Sequence, residues 1–297
     1  MPTLATTGAG GVLGLGLAEA LKNFPCFQRS TSLGSRSQPS FWENSWNPMD
    51  LLVPEEPQRW LQSQAPQLLL HAGAMTRLDD CEANPKACHR TNLEATRELC
   101  AAALEIGTSL LFVSTDQVFD GRAETYSEDS TPSPIHNYGR SKAEAEQIVL
   151  EAGGVVARLP LLLGGEATPQ RKGADTALRQ SMQAGQTIKL FEDEFRAPLP
   201  ASSAAQGLLL LLEAMKSPNP PRGVFHFSGN EPVSRLQLGQ MVQTAHHLSA
   251  TLLPTQAASW NGPPRPLRLV LTHERATEEL SWKAPNLRQY LSADSTP

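Results

Sequence analysis

The chain has 297 residues, 40% of them hydrophobic, and a formal charge of −5 from 25 Lys and Arg against 30 Asp and Glu. This is enough apolar chain to bury one large core and a smaller lobe. A net negative charge with no Lys/Arg cluster argues against nucleic acid or a membrane surface as partner, and no apolar run approaches the length of a transmembrane helix.

Taken in chain order, apolar runs predict strands at 4–7, 67–72, 110–114, 155–159 and 224–227. Helical patterns predict helices at 14–22, 85–105, 138–151, 174–184, 202–215 and 234–247. Strands alternating with helices point to α/β architecture. The stretch 28–48, rich in Ser, Asn and Trp, reads as an irregular loop, and 218–221 and 263–266 read as turns.

The first strand runs into TGAGGVLG, which places Gly8, Gly11 and Gly14 in a G-x-x-G-x-x-G turn, with Val12 and Leu13 opening the helix. Such glycines permit a tight turn and bring backbone N–H groups close to a pyrophosphate, whose charge the helix N-terminus favours. A G-x-G-x-x-G starting at Gly8 would end on Leu13, so the three-residue spacing fits better. The alternative is a turn that only serves the fold.

The segment 110–142 puts an apolar strand ending in Ser114-Thr115 upstream of Tyr138-x-x-x-Lys142. On one helix face the Lys142 ammonium can stand beside the Tyr138 phenol, and the cation favours phenolate, bringing a group with an ordinary pKa near 10 toward useful range. Thr115 could then hydrogen-bond a substrate carbonyl oxygen. Hydride delivery to a carbonyl carbon leaves charge on oxygen, which needs such a donor and a proton. Taken singly, Ser-Thr is an ordinary strand end and Lys an ordinary solvated residue.

With these motifs in this order, the chain resembles the dTDP-4-dehydrorhamnose reductase branch of the extended short-chain dehydrogenase/reductase family. TGAGGVLG, QAPQLLLHAGAMTRLDDCEANP, TNLEAT, VSTDQVFDG, YGRSKAEAE, EDEFRAPLPASSAA, GVFHFSGNEPVSR and PPRPLRLVL carry the resemblance over nearly the whole length. It implies a catalytic triad of Thr115, Tyr138 and Lys142, with Tyr138 giving the proton and Lys142 also holding the nicotinamide ribose. It implies cofactor contacts at Gly8, Gly11, Val12, Leu13, Ala72, Gly73, Ala74 and Ser114, and Asn92 as the helix asparagine that props the site. Asp116, Gln117, Arg158, Arg196 and Arg265 fall on segments that face the substrate, Arg265 near the nucleotide-sugar phosphates. The resemblance implies an α/β fold, a Rossmann-like doubly wound parallel sheet with a smaller C-terminal substrate lobe: residues 1–164 would form the NAD(P)-binding domain and 165–297 the substrate lobe, with segments near 201–215 and 224–229 returning to the first domain.

Neighbouring sugar 4,6-dehydratases carry Asp-Glu after the threonine, whereas this chain has Asp116-Gln117. Glutamine cannot ionise, so reduction or cofactor binding alone is favoured over removal of water. Departures from the reductase branch are Gln117, where tyrosine is usual, and Arg158-Leu159-Pro160-Leu161, where an R-T-S-W pattern is usual. ARLPLLLG and GVFHFSGNEP resemble the methionine adenosyltransferase regulatory beta subunit as well, so a non-catalytic regulatory subunit is the alternative. Where NAD-preferring dinucleotide folds place an acid, about 20 residues past the glycines, CFQRSTSLGSRS offers Arg29 and Arg36 and no acid, which suits the 2'-phosphate of NADP, with NAD the other option.

A homodimer through the 85–105 helix face and the Tyr138 helix is implied by the resemblance, with plain packing on the sheet as the alternative. Cys26, Cys81, Cys88 and Cys100 form no C-x-x-C, and no His sits at metal spacing, so no metal is expected. His71 is expected to face the core beside the cofactor. With the first strand starting at once, no signal peptide is expected, and the location is expected to be cytoplasmic.

Overall fold

Seven parallel strands, β1 Leu4–Thr7, β2 Thr31–Ser35, β3 Ser45–Pro48, β4 Leu68–His71, β5 Ser109–Thr115, β6 Val155–Leu159 and β7 Gly223–His226, form one sheet in the order β7-β6-β5-β4-β1-β2-β3. The computed structural model describes residues 3–28, 31–35, 38, 40–42, 45–168 and 171–293. The strand order reverses between β1 and β4, as in a doubly wound Rossmann-like sheet.

The central strands read as unbroken apolar runs because both faces are covered. Leu69, Leu70, Leu111 and Phe112 are fully buried, each contributing about 1.5–3 kcal/mol of apolar burial. One face packs on α1 (Val12–Ala20), and Leu17, Leu208 and Phe225 share that core. The other face packs on α2 (Glu56–Gln64), α3 (Ala95–Ile106) and α4 (Asn137–Glu151), through Trp60, Leu99 and Val149. On the first face α5 (Ala201–Ala214) lies against α1 so closely that a Cβ on Gly16 would stand 2.4 Å from the Ala201 oxygen. The absence of a side chain at that crossing is therefore a packing requirement.

A separate apolar cluster, including Leu178, Met182, Leu238, Val242 and Leu291, centres the C-terminal part on α6 (Arg235–Ala245) and Ala174–Gln183. Beside it the strand Phe195–Arg196 lies between Val233–Ser234, antiparallel, and Arg268–Leu269, parallel. This small sheet brings three distant segments to one place.

Two expectations need correction. The stretch 28–48 contains β2 and β3 rather than only irregular loop. Their Ser- and Asn-rich sequences show no two-residue alternation, and the packing that supports β2 comes from afar: a Cβ on Gly34 would stand 2.7 Å from the Trp60 ring. The expected helix at 85–105 is interrupted, as Pro85–His89, a π-helical turn Arg90–Glu94, then α3.

Candidate functional site

The glycine turn leaves β1 at the reversal of strand order, where open α/β sheets form a ligand crevice. Gly8 has φ +75°, and a Cβ there would stand 2.6 Å from the Ala72 carbonyl and the Gly73 nitrogen, so the approach of these strand ends requires glycine. Gly14 meets a packing demand instead, since its Cβ would lie 1.9 Å from the Ala9 oxygen. At Gly11 the nearest atom to such a Cβ is the Gly8 oxygen at 3.6 Å, so the space a side chain would take is free for a ligand. Gly11 is also the N-cap of α1 with no side chain capping it. The N–H groups of Val12 and Leu13 are thus placed for an anion. Arg29 and Arg36 lie outside the described residues.

The backbone after β4 is tied down by Thr7. The N–H groups of Ala72 and Gly73 donate to Thr7 Oγ1 at 3.2 and 3.0 Å, and Oγ1 lies 2.6 Å from His71 Nδ1. With its acceptor positions taken, the hydroxyl gives its proton to Nδ1, which leaves the ring proton on Nε2. Nε2 donates to Thr96 Oγ1 at 3.0 Å, and Thr96 donates to the Asn92 carbonyl at 2.8 Å. Burial holds His71 down to about 3, with Lys142 acting in the same sense, so the ring is neutral as this chain of bonds requires.

Asn92 sits in the π turn, a bulge frequent at functional sites. Its Oδ1 accepts from Met75 N at 2.8 Å, and its Nδ2 donates to Met75 O and Ser141 Oγ, both at 3.0 Å. The 72–75 backbone, Ala74 included, is therefore held at one end by Thr7 and at the other by Asn92.

Tyr138 and Thr115 meet because α4 begins against the turn after β5. A Cβ on Gly139 would stand 2.2 Å from the Gln117 oxygen, so glycine after the tyrosine permits the contact. His136 caps the helix, its Nδ1 accepting from Gly139 N at 2.9 Å, and its ring stacks at 12° with Tyr138. Lys142, one turn on, donates from Nζ to the Val113 carbonyl at 2.7 Å and lies 3.7 Å over the Phe112 ring.

The expected depression of the phenol by the ammonium is corrected. Burial pushes Tyr138 above its ordinary range, while the Thr115 hydroxyl facing it acts the other way. Burial also pushes Lys142 down to about 7, with Glu146 opposing. Desolvation therefore sets the direction for both groups, since both lose water on entering the same dry wall. Next to them Ser114 Oγ is buried without a partner, a polar atom that a hydroxylated ligand would satisfy.

Asp116 is 2% exposed. Its Oδ1 accepts from Thr115 Oγ1 and Gln117 Nε2, each at 3.2 Å, while its Oδ2 has no partner. Burial raises this carboxyl to about 6, against the pull of Arg196. Gln117 Oε1 lies 3.0 Å from His136 Nε2.

Arg196 and Arg265 converge on Glu194. Arg265 donates from Nε and Nη2 to both carboxylate oxygens, and Arg196 Nη2 lies 3.3 Å from Oε1. Burial opposes ionisation of Glu194, but these guanidinium groups hold it below the ordinary carboxylate range. Arg235, at the start of α6, faces the same carboxylate and the same two arginines, and burial lowers it to about 10. Three guanidinium groups around one carboxylate leave surplus positive charge for an anion. Sequence reasoning missed Glu194, Arg235 and His136, because their roles depend on contacts between distant segments.

Arg158 does not share this arrangement. Its Nε and Nη2 donate to Glu146 at 2.9 and 2.7 Å, and Nη1 lies 3.3 Å from His226 Nε2. With all three nitrogens engaged and the residue 2% exposed, it braces β6 against α4 and β7 instead of reaching a substrate. Among the described residues no group of His, Cys, Asp or Glu is placed to hold a metal, and no helix is long and apolar enough to cross a membrane.

The parallel sheet and the glycine turn at its reversal define a Rossmann-like protein of the extended short-chain dehydrogenase/reductase type. The chain belongs to the family described as RmlD substrate binding domain, whose model matches residues 2–294. It is similar to methionine adenosyltransferase 2 subunit beta of Danio rerio, at 30% identity over 88% of this chain and 79% of that protein. It is also similar to the probable low-salt glycan biosynthesis reductase Agl14 of Haloferax volcanii, at 28% identity over 97% and 95%. Among solved structures, a hypothetical dTDP-4-dehydrorhamnose reductase from Sulfolobus tokodaii superposes with a TM-score of 0.82 at 26% identity, covering 96% of this chain and 97% of that one. The enzyme of that name from Bacillus anthracis, in complex with NADP, shares the fold with a TM-score of 0.82 at 20% identity and 98% coverage of both chains.

Proposed function

We propose that the protein is an NADP-preferring reductase of a nucleotide-linked 4-keto-6-deoxy sugar. The observation that carries this reading is the meeting of Thr115, Tyr138 and Lys142 beside an uncapped glycine turn, with the Arg196, Arg235 and Arg265 cluster supplying charge for a diphosphate. In this reading residues 1–164 hold the dinucleotide and 165–297 the sugar nucleotide; a cytoplasmic location and a homodimer belong to the same proposal.

The residues present fit a dinucleotide. Gly11 leaves space, Val12 and Leu13 offer N–H groups, and Ser114 Oγ lacks a partner. NADPH, when bound, would supply the hydride. Lys142 has one hydrogen bond, to Val113 O, and its remaining N–H groups would hold ribose hydroxyls. Tyr138 would give its proton to the carbonyl oxygen as charge develops there, and a phenol kept neutral by burial is in the right state to do so. Thr115 would donate a hydrogen bond to the same oxygen. Glutamine at 117 supplies no carboxylate to take a proton from carbon, which favours reduction over dehydration.

A second reading is a dinucleotide-binding regulatory subunit, favoured by relatives that include methionine adenosyltransferase 2 subunit beta from several vertebrates. The test is NADPH oxidation, followed by absorbance, with a dTDP-4-keto-6-deoxy sugar. Turnover that is lost in Tyr138→Phe supports the reductase. NADPH binding without turnover overturns it and leaves the regulatory reading.

A further inference from the structure

Four side chains from two segments form a line that ends on the proposed reacting oxygen. His136 Nδ1 accepts from the Gly139 N–H, so in the neutral ring the proton is on Nε2, which donates to Gln117 Oε1 at 3.0 Å. That fixes the glutamine amide, whose Nε2 then donates to Asp116 Oδ1. The Thr115 hydroxyl, which has a single proton, donates to the same Oδ1 at 3.2 Å. Asp116 Oδ2 is buried with nothing to accept from.

We propose that Asp116, held by Gln117 and His136, is a positioning residue whose charge sets the direction in which the Thr115 hydroxyl donates. While the carboxylate is ionised it draws the Thr115 proton to Oδ1, away from a substrate carbonyl. It also sets a negative charge near the oxygen on which negative charge must develop. Protonation at the unpartnered Oδ2 leaves Oδ1 as a neutral and weaker acceptor. The Thr115 proton is then free to turn to the carbonyl oxygen, while the Gln117 bond stays in place.

The charged and titratable groups around Asp116 decide when this happens. Arg196, from the Phe195–Arg196 strand, favours the carboxylate and Glu194 opposes it. Asp116 in turn raises the phenol of Tyr138 on α4. Arg265 faces Arg196 from the late loop, and His136 is held neutral, at about 4, chiefly by burial. An anionic substrate that excludes water and engages the arginines weakens the one favourable charge on Asp116 and removes more solvent, so both effects favour its protonated form. Substrate binding thereby arms the threonine. The kinetic part of this proposal rests on the reductase reading.

Asp116→Asn keeps the shape and an Oδ1 acceptor but cannot ionise. The carbon-13 resonance of the Asp116 carboxyl, assigned by its loss in Asp116→Asn, should titrate near 6 in the resting protein; titration in the ordinary aspartate range overturns the proposal without reference to any substrate. With NADPH and the keto sugar, the wild-type rate should fall roughly tenfold as pH rises through the carboxyl's titration, the size expected when a neutral acceptor becomes a charged one. Asp116→Asn should hold the low-pH rate throughout. His136→Asn, which can still cap α4, should move the wild-type limb to higher pH by releasing Gln117 from Asp116. A limb that persists in Asp116→Asn overturns the proposal. If the carboxyl titrates as expected but neither protein reduces the sugar, the reductase reading has failed and the positioning role falls with it.

Discussion

The Thr7 hydroxyl donates to Nδ1 of His71 at 2.6 Å while accepting the backbone N–H groups of Ala72 and Gly73. One side chain thus links the end of β1 to the backbone that follows β4, on the two strands that flank the ligand crevice. Thr7→Val, nearly the same shape, would leave two backbone donors and one ring nitrogen unpaired in a buried place. The expected cost is about 2–4 kcal/mol of stability, since each such group costs roughly 1–3 kcal/mol and partial relaxation recovers some. Urea denaturation measures that cost, and NADPH titration by fluorescence should show weaker binding in the folded variant. Unchanged binding would mean that the 72–74 backbone does not depend on Thr7.

Lys142 stores instability for use. Burial lowers it to about 7 from an ordinary 10.5, so between those values the unfolded chain binds the extra proton. Stability contributed by this group therefore rises as pH rises through that window, and its full penalty applies below about 7. Lys142→Met removes the charge and keeps the apolar stem over Phe112. The variant should unfold at a higher temperature than wild type at neutral pH, lose the pH dependence between 7 and 10.5, and lose turnover. Equal melting temperatures at neutral pH would show that the ammonium is solvated in the resting protein.

Glu146 and Arg158 form a buried pair, each side chain 3% exposed. Breaking it by Glu146→Ala leaves an uncompensated guanidinium under Phe119, and about 3–5 kcal/mol of stability should be lost. Glu146→Leu with Arg158→Met should recover much of that loss, because the desolvation cost of both charges disappears together. Denaturation curves of the single and double variants check this. If Arg158 contacted the substrate, the double variant would show a raised KM; the geometry predicts no change.

The same pair shows what could be read from the sequence. Leu68–His71 and Ser109–Thr115 were legible because strands buried on both faces leave apolar runs, here LLL and LLFV. That Tyr138 and Lys142 stand one turn apart on one helix was legible, because their four-residue spacing is local. That Arg158 turns into the protein could not be read, since it depends on a helix residue at 146 meeting a strand residue at 158 and a histidine at 226. Strands β2 and β3 were missed for a related reason: β2 gains order from Trp60 and from pairing with β1, and β3 from pairing with β2. The phenol's rise against the expected pull of Lys142 reflects burial, which no spacing reveals.

Arg235 tests the anion cluster without touching the dinucleotide site. Its guanidinium faces Glu194, but Arg265 and Arg196 already engage that carboxylate, so Arg235 adds like charge to a buried group. Removing it by Arg235→Met should leave stability unchanged or raised. The apolar stem is kept, and the burial cost of the guanidinium, which outweighs the pull of Glu194, disappears. Affinity for dTDP should fall by roughly tenfold, the scale of one charge-assisted bond to phosphate, while NADPH affinity stays the same. Calorimetric titration of each ligand separates the two effects. Weaker NADPH binding with dTDP binding intact would place the arginines at the dinucleotide instead of the sugar nucleotide.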